Sequence, residues 1–226
     1  MPTRNFTRPL LYSLSILTLS AVLMSNIFRG SSSMATGAIP NPATDIPKAT
    51  SKGEQVAVFA GGCFWGMEAV FEHLNGVSDV VSGFSGDSAT TANYPRVSSG
   101  QTKHAEAVQV TYDPSQITYG QLLKVYFSVA HDPTEINRQG PDEGPQYRSA
   151  IFFANDKQQQ VAQAYIQQLN TAKSFKKLIA TQLVPLDKFY AAEEHHQNFI
   201  IRNPNYPYVV AHDLPRIKQL QKLFPT

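Results

Sequence analysis

An apolar run, Val56-Ala57-Val58-Phe59-Ala60, ends in Gly61-Gly62 and gives way at once to Cys63-Phe64-Trp65-Gly66 and a helical pattern over Met67–Leu74. A short apolar run bounded by glycines reads as a buried strand, and the segment after it as a helix. Cys63 therefore sits where a strand turns into a helix, facing amide N–H groups that have no partner inside the helix and stabilise a thiolate. It is the chain's only cysteine, so it has no partner for an intrachain disulfide. A lone thiol is either a small buried hydrophobe or a nucleophile. Three glycines clear space around this one and two large aromatic rings stand beside it, which favours the nucleophile.

The remaining chain supplies further strands over Val77–Phe84, Ala105–Tyr112, Arg148–Phe153 and Ile179–Pro185. Helices are expected over Tyr119–Val129, Asp156–Leu169, Tyr190–Ile201 and Leu214–Leu223. Asp113-Pro114 ends the third strand, because proline bars its continuation, and Thr118 is suited to cap the helix that follows. The residues beyond Asn203 read mainly as extended coil wrapping the domain. This order implies an α+β fold, a two-layer sandwich with a mixed, ferredoxin-like central sheet, helices packed against it and a long coiled C-terminal segment.

At 226 residues, 42% of them hydrophobic, the chain can bury one full core and hardly two. Residues 1–38 carry Arg4, Arg8 and Arg29 and no acidic residue. Without them, 16 Lys and Arg face 17 Asp and Glu, so the formal charge of +2 becomes −1. No basic face is left for nucleic acid. The leader itself has a basic start, an apolar stretch over Leu10–Met24 and a small-residue cleavage site at Thr36-Gly37-Ala38. We expect a signal peptide and export to the periplasm or another extracytoplasmic compartment, with an uncleaved membrane anchor over 9–28 as the alternative. Ser31–Gly53 is rich in Ser, Ala, Thr and Pro; residues 39–54 read as a flexible linker, and 55–226 as one catalytic domain.

Two long polar stretches, Ser85–His104 and His131–Tyr147, are the expected functional loops, since loops of that length in a compact domain usually carry function. They hold or border Tyr94, His104, Glu106, Asp142 and Tyr147. A cysteine nucleophile needs a proton donor for the leaving atom and donors to hold developing charge, and a carboxyl and two phenols supply both. Taken singly, each has a plainer reading: packing for the tyrosines, a turn for Asp142, an edge charge for Glu106. Glu193-Glu194-His195-His196 are consecutive, so they cannot share one helix face as metal ligands, and we expect no metal.

An ordered series of short motifs resembles the A-type peptide methionine sulfoxide reductases from about Ala57 to about Tyr208. It includes Gly62-Cys63-Phe64-Trp65-Gly66, Asn93-Tyr94-Pro95, His104-Ala105-Glu106-Ala107-Val108, Arg138-Gln139-Gly140-Pro141-Asp142 and Gln146-Tyr147-Arg148-Ser149. The resemblance implies that Cys63 attacks the sulfoxide sulfur and Glu106 protonates its oxygen. Tyr94 and Tyr147 would bind that oxygen, with Asp142 completing the polar side. Phe64 and Trp65 would receive the S-methyl group, and Gly62 would join them in binding the substrate. Substrates would be methionine-(S)-sulfoxide in oxidised proteins and free, turned over by a monomer. No bound cofactor is implied.

Departures from that pattern matter. Many members carry further C-terminal cysteines that resolve the oxidised nucleophile, whereas Asn203–Thr226 contains none. Regeneration would then fall to an external thiol, a thioredoxin-like protein or a small thiol such as glutathione. Lys103 and Asp87 stand where glycine is common, and Phe84 where tyrosine is frequent. Two other classes fit a lone reactive thiol or an aromatic pocket: a different one-cysteine enzyme, such as a peroxidase or thiol hydrolase, and a non-catalytic binder of oxidised peptides. No motif ties a histidine to Cys63 as a hydrolase requires.

Overall fold

This computed structural model describes Met1 and residues 38–225. The expected leader therefore lies outside the described residues except for its end residues, as does the alternative anchor over 9–28. Among the described residues, no helix is long and apolar enough to cross a membrane. In chain order the strands are β1 (Gln55–Ala60), β2 (Val77–Ser85), β3 (Ala105–Tyr112), β4 (Arg138–Gln139), β5 (Asp142–Glu143), β6 (Ala150–Phe153), β7 (Gln182–Pro185) and β8 (Phe189–Ala191). The α-helices are α1 (Phe64–Glu72), α2 (Tyr94–Ser98), α3 (Tyr119–Val125), α4 (Asp156–Thr171), α5 (Phe199–Arg202) and α6 (Leu214–Leu223).

Six strands form one sheet in the order β7-β6-β1-β3-β2-β8. Only β6 and β7 run parallel, so the sheet is mixed. Alternation along each strand divides its side chains between two faces. On one face, Ala57 and Phe59 of β1, Val108 and Val110 of β3 and Ile151 of β6 join Met67, Val70 and Phe71 of α1. Leu122 of α3 and Val161, Tyr165 and Leu169 of α4 complete that core. The other face carries smaller residues, among them Val58, Ala60, Ala105, Ala107 and Ala150, with Phe152 the largest. Phe59 stacks on Phe71 at 5.2 Å and on Tyr126 at 5.1 Å. Each fully buried ring of this kind contributes about 1.5–3 kcal/mol. The junction that carries Cys63 is thus anchored in this core through Phe59 before it and Phe64 and Met67 after it.

Thr118 caps α3 in a reciprocal box with Gln121, as its position after Asp113-Pro114 leads one to expect. Past Val125 the helix widens into a π-turn over Tyr126–Ala130 rather than continuing as α-helix.

Three expectations are corrected. Residues 39–54 are docked, not a free linker. Ile39 is buried, Tyr165 donates to the Pro40 carbonyl at 2.7 Å, and Asp45 accepts from Thr118 Oγ1 and from the Gly120 amide at 2.7 Å. Gly120 lacks a Cβ where one would fall 2.5 Å from the Asp45 carboxyl carbon. Asp45 is half-buried, and leaving the buried Gly120 amide without its acceptor costs about 1–3 kcal/mol. Asp45→Ala is therefore expected to lower unfolding stability in urea by about that amount; an unchanged midpoint would mean that the segment is not held there.

The second correction concerns Tyr190–Ile201, expected as a helix. Phe189–Ala191 instead pairs with the outer edge of β2, Glu194–His196 makes one 3-10 turn, and only Phe199–Arg202 is α-helical. Gln197 explains the break, since its side chain bonds both the amide and the carbonyl of Ser82 at 2.9 Å and so extends the sheet edge. Third, the tail is not mainly extended coil. A π-turn over Val209–Asp213 runs directly into α6, which has the bounds expected from the sequence.

Candidate active site

The strand-to-helix junction is built around two glycines for different reasons. A Cβ on Gly61 would stand 2.7 Å from the buried His131 ring. Gly62 has φ +92°, and a Cβ there would meet Gln139 Cγ at 2.5 Å. His131 is fixed in turn by Ser149 Oγ at 2.7 Å, and Gln139 by the amide and carbonyl of Asp132. With that support behind it, Cys63 takes the N-cap position of α1 and Phe64 its first turn.

Glu106 comes from β3. Its position in the alternation places it on the helix-bearing face with Val108 and Val110, opposite Phe84 of β2. Its Oε2 accepts from the Phe64 amide at 3.1 Å, so the first free N–H of α1 is already taken. The two long loops are drawn together by Arg148, which donates to the carbonyls of Lys103, His104 and Pro145 at 2.8–3.1 Å. Gln146 adds a bond to the Ser98 carbonyl. Tyr94 begins α2 behind the Asn93 cap, its amide held by Glu193 Oε1 at 3.0 Å. Asp142 accepts from the Tyr208 hydroxyl.

These elements enclose a cavity of about 170 Å³ lined by Cys63, Phe64, Trp65, Tyr94, Glu106, Asp142, Tyr147, Tyr206 and Tyr208. Eight of the sequence-selected residues were candidates for this site, and seven of them line the cavity. Gly62 does not. It lies behind Cys63 against Gln139, so it shapes the turn rather than touching a ligand. The apolar wall is braced by its neighbours. Trp65 stacks on Phe199 at 3.7 Å and donates from Nε1 to His196 Nδ1 at 3.3 Å, while Phe64 packs on Phe84 and Tyr94. Glu193 and His196 thus serve as supports for the wall and for Tyr94. Asp87, one of the unusual loop residues, accepts from the amide of the other, Lys103, at 2.9 Å.

Burial dominates the electrostatics. It raises Glu106 to about 8, with Asp142 adding to the rise and the Phe64 amide opposing it. Tyr94 is pushed up to about 12 by burial and then by Glu106, and Tyr147 is raised further by the same causes. At neutral pH all three therefore present O–H donors. The expectation of a stabilised thiolate is corrected. Burial, then Glu106 and Asp213, lift Cys63 well above its ordinary value, and the Trp65 amide only partly offsets them. A helix terminus favours an anion by a modest amount that desolvation and neighbouring carboxylates outweigh.

The sequence pattern of the family described as peptide methionine sulfoxide reductase matches residues 55–225. The chain belongs to this family. Peptide methionine sulfoxide reductase MsrA 2 of Synechocystis is 54% identical over 82% of this chain and 88% of its own length. The protein of the same name from Mesorhizobium japonicum is 55% identical over 76% and 89%. Among solved structures, reduced Mxr1 from Saccharomyces cerevisiae is 34% identical, with a TM-score of 0.62 over 73% of this chain and 92% of that one. Methionine sulfoxide reductase A of Corynebacterium diphtheriae is 31% identical, with a TM-score of 0.58 over 78% and 92%.

For this reductase-family chain, sequence reasoning missed three residues at the site. Tyr206 and Tyr208 complete the cavity, and Asp213 packs against Gly66 in the first turn of α1. The pair Tyr206-Pro207-Tyr208 was the available signal, because two aromatics flanking a proline are unusual in a solvated tail.

Proposed function

We infer that this protein reduces methionine-(S)-sulfoxide to methionine, in oxidised proteins and as the free amino acid, and thereby repairs oxidative damage. One observation carries the reading: the chain's single thiol faces a small cavity whose one side offers O–H donors and whose other side is aromatic. A sulfoxide oxygen accepts hydrogen bonds and has no proton to give, whereas the S-methyl group wants an apolar wall. Glu106, Tyr94 and Tyr147 serve the oxygen, Asp142 orients Tyr208 on the same side, and Phe64 and Trp65 receive the methyl. With thiol, oxygen and methyl sites fixed, the opposite epimer would press its oxygen into the aromatic wall and leave buried donors unpaired.

The partly positive sulfoxide sulfur, set against Cys63, offsets the burial that holds the thiol protonated and favours the thiolate. Cys63 sulfur attacks as Glu106 gives its proton to the oxygen. The protonated oxygen then passes from the substrate sulfur to the Cys63 sulfur: the Cys63 S–O bond forms as the substrate S–O bond and the transient S–S bond break, leaving Cys63 as a sulfenic acid and releasing methionine. The catalytic sulfur is thereby oxidised and the substrate sulfur reduced. No second cysteine exists in the chain, so an external thiol, from a thioredoxin-like protein or a small molecule such as glutathione, attacks the sulfenic acid and a second thiol completes the reduction.

A single-turnover experiment tests this scheme. Enzyme mixed with excess methionine-(S)-sulfoxide and no reductant is expected to release one methionine per chain. The protein should then take up one dimedone, seen by intact mass, and form no intrachain disulfide. Methionine release with no adduct on Cys63 would exclude the sulfenic acid route.

A further inference from the structure

Asp213 is fully buried, yet neither carboxylate oxygen has a hydrogen-bond partner among the described residues. The nearest cation, Arg216 Nη1, is 3.9 Å from Oδ1, too far for a hydrogen bond, and is itself buried without a partner. Both groups press on the first turn of α1. A Cβ on Gly66 would lie 2.4 Å from Asp213 Oδ1 and 3.1 Å from Arg216 Nη1. Glycine at 66 is what admits this pair beside the helix end that carries Cys63. We propose that Asp213, loosely offset by Arg216, is a positioning residue that sets how readily the Cys63 thiol ionises.

The arrangement is unusual because helix N-termini attract negative charge, and here two carboxyl groups crowd one. Phe64 N–H is committed to Glu106, and Asp213 occupies the flank of the same turn. The other groups acting on the thiol are Glu106 from β3 and Asp142 from β5, while Tyr94, Tyr147 and Tyr208 remain neutral donors. Arg216 acts on Asp142 as well as Asp213, and His212 also acts on Asp142. Asp213 therefore adds to the burial and to Glu106 in keeping the empty site's thiol protonated and resistant to adventitious oxidation, while a bound sulfoxide supplies the local positive charge that releases it.

The test reads the thiol rather than turnover, so it fails or succeeds apart from the reductase reading. The rate of iodoacetamide alkylation is measured across pH on the full chain, whose sole cysteine makes the signal unambiguous. Asp213→Asn is expected to lower the alkylation midpoint by about one pH unit, the low end of what a nearby charge does. Asp213→Glu should keep the wild-type midpoint. An unchanged midpoint in the Asn variant overturns the proposal, and so does an equal shift in both variants, which would indicate shape rather than charge. Should the Asn variant not fold, Gly66→Ala decides. Its methyl displaces the carboxylate, so a lowered midpoint supports the assignment and an unmoved one refutes it.

Discussion

Glu106→Gln is expected to slow the single-turnover reduction of a methionine sulfoxide peptide by about 10²–10⁴-fold at pH 7, the range for loss of a general acid. Affinity for the peptide should change little, since an amide N–H still donates to the sulfoxide oxygen. The pH profile separates this role from simple packing. Burial raises Glu106 to about 8, so the wild-type rate should fall as pH rises through that value and the acid loses its proton. The Gln variant has no proton to lose there and should lack that descent.

The same shift bears on stability. Between the ordinary carboxylate value and about 8, the unfolded chain ionises Glu106 while the folded one does not. This contribution is therefore fully present in acid and lost as pH rises through about 8, and Gln removes the dependence. A Gln variant that turns over at the wild-type rate would show that the proton comes from elsewhere.

Cys63→Ser is the second large effect: no measurable reduction, with binding of the oxidised peptide retained. The hydroxyl occupies nearly the same volume but ionises far less readily than a thiol and cannot be oxidised to a sulfenic acid. Trp65, the only tryptophan, lines the cavity and reports binding through its fluorescence. A protein that merely binds oxidised peptides would be indifferent to this change, whereas a reductase loses all turnover. Residual reduction by the Ser variant would remove Cys63 from the chemistry.

What the sequence revealed follows from how local each signal is. The apolar run of β1, the Asp113-Pro114 stop, the Thr118 cap and the bounds of α6 depend on neighbours a few residues apart, and each was legible. Phe189–Ala191 was not, because its strand exists only through the open edge of β2, about a hundred residues earlier. Residues 39–54 look unstructured by composition, yet Asp45 finds its partners on the first turn of α3. At the site, Tyr94, Glu106, Asp142 and Tyr147 could be named from motifs, but only Arg148 and the sheet alternation explain how they meet Cys63. Tyr208 and Asp213 lie some 145–150 residues from Cys63 along the chain and reach it through the π-turn of the tail. The thiol's acidity was misjudged for a related reason, since the helix end is visible in sequence and the carboxylates crowding it are not.

The most direct measurement follows both epimers of one methionine sulfoxide peptide during incubation with the protein and dithiothreitol. The fixed thiol, donor and methyl sites predict that the S epimer is consumed and the R epimer is left, and that Cys63→Ser consumes neither. Equal loss of both epimers, or loss of neither with the intact protein, would contradict the account.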